Sequence, residues 1–77
     1  MDERWLLPHT SDFYVRSEDI RNVTWEERPE PDANLFSVRI TFVHPSIASK
    51  QFDDFTWSEI IAFTRRGVMV TKAVPSE

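Results

Sequence analysis

The chain has no cysteine and a single glycine, Gly67, in 77 residues. Without cysteine there is no disulfide framework and no thiolate zinc site. One glycine excludes the glycine-rich loops that cradle phosphates in nucleotide-binding folds. Histidine is scarce as well: only His9 and His44 occur, in neither His-Glu-x-x-His nor His-x-His spacing. No apolar run approaches the ~18 residues of a membrane span. The opening residues, Met1-Asp2-Glu3-Arg4-Trp5-Leu6-Leu7-Pro8, carry acids where a secretion signal carries bases. The expectation is an intracellular, cytoplasmic protein with no membrane contact and no cofactor.

Aromatic side chains, in contrast, are plentiful. Six Phe, three Trp and one Tyr are present, and 40% of the residues are hydrophobic. That composition opposes disorder. A chain this short forms one domain at most, residues 1–77, and buries only ~60% of the surface its unfolded form exposes. Aromatics, each burying ~150–250 Å², supply the dense core such a domain needs.

The net charge of −4 is unevenly spread. Residues 1–34 hold nine carboxylates against four arginines, a balance of −5, whereas residues 35–77 hold four against five bases, a balance of +1. Phosphate backbones are bound by positive fields, so the overall balance opposes a non-specific nucleic-acid binder.

Hydrophobic periodicity sets out the elements. From Leu35 to His44, Phe36, Val38, Ile40 and Phe42 share one face of a half-buried strand. A second strand is predicted at Arg21 to Arg28, and the two prolines of Pro29-Glu30-Pro31-Asp32-Ala33-Asn34 end it in a longish hairpin loop. Asp12 to Arg16 reads as an earlier strand feeding the next through Ser17-Glu18-Asp19. Thr56-Trp57-Ser58-Glu59 fits a capping box at the head of a helix over 57–66. Trp57, Ile60, Ile61 and Thr64 lie on one helical face, with Phe63 on the flank. Gly67 suits the left-handed stop. Residues 68–74 read as a last strand, and 45–54 as a loop or a short strand from Ala48 to Phe52. The expected fold is α+β: a three- to five-stranded, mostly antiparallel sheet with one amphipathic helix on one face, in the order β-β-β-(β)-α-β.

Several groups could carry chemistry. Adjacent Asp53 and Asp54, with His44, could hold a divalent metal in a small enzyme; they could equally solvate the approach to the helix and favour its positive end. The acidic hairpin, Glu26, Glu27, Glu30 and Asp32, could dock on a basic surface. Arg39, Arg65, Arg66 and Lys72 could form a basic patch for single- or double-stranded nucleic acid. Trp5, Phe13, Trp25, Phe36, Phe42, Phe55 and Trp57 are assigned to the core; Tyr14, Phe52 and Phe63 are left over as interface anchors.

The absence of catalytic motifs favours a non-enzymatic binding protein. Its partner would be a larger protein or nucleoprotein, met through the acidic hairpin and the left-over aromatics. Small acidic chains of this kind are common among accessory proteins of phages and mobile elements, anti-CRISPR-like anti-defence inhibitors included; size and composition alone carry that association. The alternative is the nucleic-acid module, and the third reading the metal-dependent enzyme. A homodimer through a sheet edge is also compatible with the strand pattern.

Overall fold

The chain runs β1 (Trp5–Leu6), β2 (Tyr14–Val15), a 3-10 turn (Ser17–Asp19), β3 (Ile20–Glu27), β4 (Phe36–Phe42), β5 (Lys50–Phe55), α1 (Trp57–Arg65) and β6 (Val70–Lys72). The computed structural model describes residues 3–28 and 34–73. β3 to β6 form a four-stranded mixed sheet in the order β5-β4-β3-β6, while β1 and β2 form a separate two-stranded ribbon. β4 runs antiparallel to both β3 and β5, and β6 joins β3 in parallel. A parallel strand needs a crossover rather than a hairpin. The chain therefore leaves one edge of the sheet at β5 and reaches the other at β6, and α1 makes that crossing.

The alternation of Phe36, Val38, Ile40 and Phe42 holds along β4: Val38, Ile40 and Phe42 are buried and Phe36 packs on the core. The flanking strands break alternation with bulges. In β3, Ile20 pairs with Phe42 but Asn22 already pairs with Thr41. The extra residue lets Ile20 and Val23, three apart, both face inward and be buried. In β5, Phe55 pairs with Phe36 and Phe52 with Val38, so Asp53 and Asp54 together oppose Ser37. That second bulge brings Phe52 and Phe55 to the core side. The expected loop or short strand at 45–54 is thus a turn followed by a longer strand.

α1 covers the inner face of the sheet. The Glu59 carboxylate accepts a hydrogen bond from the Thr56 amide at 2.9 Å and completes the capping box. At the other end, Val68 donates to the Phe63 carbonyl at 3.0 Å and Gly67 to that of Thr64 at 3.1 Å. With Gly67 at φ +83°, this is a Schellman stop, and Arg66 is its cap residue rather than a helical one.

Three sequence expectations are corrected here. The segment around Asp12 to Arg16 does not extend the main sheet; Tyr14–Val15 pairs with Trp5–Leu6 instead. This ribbon is a second cover on the core, burying Leu7 and Val15 and stacking Phe13 on Phe42 at 5.7 Å. Phe63 is a core residue, 1% exposed, because the ribbon gives it a second surface: it meets Trp5 at 5.8 Å and Phe55 at 6.1 Å. The buried helical stripe is accordingly Ile60 and Phe63, and Trp57, expected inside, is 45% exposed. The hairpin loop at 29–33 and the end of the last expected strand at residue 74 lie outside the described residues. No helix among the described residues is long and apolar enough to cross a membrane.

Candidate interaction surfaces

Trp57 is the first residue after the helix cap, where a side chain stands at the rim of the sheet instead of over its centre. It meets Trp25 of β3 at 5.0 Å and 78°, and Phe36 of β4 at 5.4 Å and 46°. Trp25 and Phe36 in turn meet edge to face at 5.5 Å. Three elements thus hold three rings in mutual contact, two of the pairs in the edge-on geometry that aromatic quadrupoles favour and the third tilted. The result is an aromatic ledge: Trp25 and Phe36 are half-buried and root it in the core, and Trp57 forms its open side. Lys72 places its ammonium 5.6 Å from the Trp25 ring centre, within cation–π range. Glu27 lies directly across from Phe36 in the sheet and Glu26 follows Trp25; both are exposed.

The other sequence candidates are scattered. Tyr14 is 56% exposed on the ribbon. Phe52 is half-buried against Phe55 at 5.3 Å, so it is no free anchor. Glu30 and Asp32 lie outside the described residues. The four bases do not form one patch. Arg39 donates to Gln51 at 3.0 Å in a shallow hollow of about 270 Å³ on the uncovered sheet face. Lys72 sits at Trp25, and Arg65 and Arg66 line a different hollow at the end of α1.

Asp53 and Asp54 are drawn apart by their bulge. Asp53 pairs with Arg28 at 3.8 Å, and Asp54 with His9 at 3.5 Å. The histidine beside these acids is therefore His9; His44 acts instead on Asp19. Desolvation opposes ionisation of Asp19, but the Arg16 amide and guanidinium, aided by His44, hold its carboxyl below the ordinary aspartate range. Among the described residues no group of three or more His, Asp or Glu is placed to hold a metal ion.

A further cluster without a local sequence signature centres on His9. This residue sits at φ +68° in a turn closed by Thr10 donating to the Leu7 carbonyl at 3.1 Å. Pro8 then positive φ is the pattern of a type II turn, whose third residue is usually Gly or Asn. The turn aims the ring at Phe55, 4.4 Å away, and sets Nε2 2.9 Å from Glu59 and Nδ1 3.5 Å from Asp54. Burial alone would raise the Glu59 carboxyl; the Thr56 amide and then the His9 ring outweigh it and hold the carboxyl below the ordinary glutamate range. Both ring nitrogens and the helix-capping carboxylate are engaged within the protein. The cluster works as a clasp joining the ribbon turn to β5 and α1. The 50-residue separation of His9 and Glu59 left no local sequence signal for it.

Comparison with known family models, curated proteins and solved structures finds no match to this chain.

Proposed function

We propose that the chain is a non-enzymatic binding protein that acts by protein–protein contact, with Trp57 and its ledge as the anchor. The carrying observation is a tryptophan 45% exposed while braced by two other rings. Trp is the residue most enriched in interface hot spots. A ring already held by Trp25 and Phe36 loses little conformational freedom on binding, which lowers the cost of association. Glu27, on the ledge's own face across from Phe36, favours a basic rim on the partner and speeds encounter with it, and Glu26 on the uncovered face adds to the same negative field. Occlusion of a larger protein or nucleoprotein, the mode of an anti-defence inhibitor, is the simplest action such a surface supports.

The test is partner capture from a lysate of the source cell by wild type, Trp57→Ala and a Glu26→Lys/Glu27→Lys double variant, with folding checked by circular dichroism. The reading expects Trp57→Ala to lose about 2 kcal/mol or more of binding, roughly 30-fold in affinity. The double variant should lose on-rate and salt dependence. Equal capture by all three folded proteins would refute it.

A further inference from the structure

We propose that the hollow between the 3-10 turn and the C-terminal end of α1 is a binding site for a phosphate group. It is a shallow, open hollow of about 340 Å³, and three arginines from two parts of the chain line it: Arg16, Arg65 and Arg66. Arg16 is pre-oriented by Glu18 at 3.5 Å and Asp19 at 3.4 Å. Arg65 has no carboxylate partner among the described residues. Arg66 lies over the Trp5 ring at 4.6 Å, a contact that uses its charge and leaves its N–H donors free. Ser17 accepts a hydrogen bond from the Trp5 indole at 3.2 Å, so its own hydroxyl proton remains available to an anion.

Opposing charges are present, and their weight can be judged. Glu3 and Glu18 also line the hollow and Asp19 holds Arg16 from beside it, so the charges left to an anion are chiefly those of Arg65 and Arg66. Glu18 is 74% exposed and already shares Arg16, so it can swing into water as an anion enters. The helix end contributes roughly half a negative charge, less than either arginine beside it. Guanidinium forks match the oxygen spacing of a phosphate and bind it bidentately. That geometry selects phosphate over a spherical anion such as chloride. The site stands about one helix length from Trp57, roughly 13 Å for nine residues, and does not depend on the ledge.

The test is a titration followed by NMR at the Trp5 indole N–H and the arginine Nε–H groups, at matched ionic strength. The probes are inorganic phosphate, sodium chloride, and a short oligothymidine with and without a 5′-phosphate. Saturable shifts with phosphate, absent with chloride and weakened about tenfold or more in Arg65→Gln/Arg66→Gln, support the site. Shifts from the phosphorylated oligonucleotide alone identify a terminal phosphate as the source; equal shifts from both identify the nucleic-acid backbone. Unsaturable shifts, chloride shifts of equal size, or undiminished phosphate binding by the folded double variant would overturn it.

Discussion

His9 occupies a backbone position that glycine or asparagine would adopt with less strain, and its ring contacts account for its presence there. Two substitutions separate these contributions. His9→Ala keeps the strained φ and loses the contacts to Phe55, Asp54 and Glu59. His9→Gly loses the same contacts but relieves the backbone, so it should be the more stable of the two by about 1 kcal/mol in urea unfolding. Gly67 presents the converse case. A Cβ there would meet nothing within 4 Å, so Gly67→Ala should cost only the left-handed penalty, about 1–2 kcal/mol. Phe63 is different in kind. Its removal opens a cavity between the helix, Phe55 and Trp5, and Phe63→Ala should cost about 3–5 kcal/mol. A chain of this length has only about 4–12 kcal/mol in total, so that variant should lose a large share of its stability and melt at least about 10 °C below wild type by circular dichroism.

The helix shows how far local pattern reaches. Its cap, its stop and its existence were legible because Thr56, Glu59 and Gly67 act within a few residues of one another. Strand β4 was legible because its alternation is unbroken. What escaped involved either a broken period or a distant partner. Ile20 with Val23 and Phe52 with Phe55 are spaced three apart, so without a bulge the strand read from Arg21 leaves out Ile20 and the short strand read at Ala48 to Phe52 stops before Phe55. The ribbon was misplaced because nothing in Phe13 or Val15 says which strand they pair with. Phe63 was misread for the same reason: its second contact surface is that ribbon. The aromatic ledge draws on β3, β4 and α1, and no window along the chain holds all three rings. The helix start also carries a pH prediction. The folded Glu59 carboxyl lies below its unfolded value of 4.5, so its contribution is fully present above that value and is lost as pH falls through the lower folded one. The advantage of wild type over Glu59→Gln in thermal melts should therefore hold near pH 5, shrink as pH drops below about 4.5, and vanish at the acid end; an advantage independent of pH would contradict the charged role.

Across the molecule, the covered and uncovered surfaces divide the work. Helix and ribbon together close one face of the sheet over Leu7, Val23, Ile40, Phe55 and Phe63, all 1% exposed or less. The other face remains polar, with Thr24, Ser37, Arg39 and Gln51 around a shallow hollow. Apolar surface escapes this cover at the Trp57 ledge, beside Glu27, and at the ribbon pair Leu6 and Tyr14, 40% and 56% exposed, while Arg65 and Arg66 lie at the far end of α1. The most direct measurement needs no known partner. Selection of a random peptide display library on immobilised wild type, with each enriched sequence re-measured on Trp57→Ala and Glu26→Lys/Glu27→Lys, should yield peptides rich in Arg and Lys. These should bind Trp57→Ala roughly 30-fold more weakly. Enriched peptides that bind folded Trp57→Ala as tightly as wild type would contradict the ledge as the binding surface.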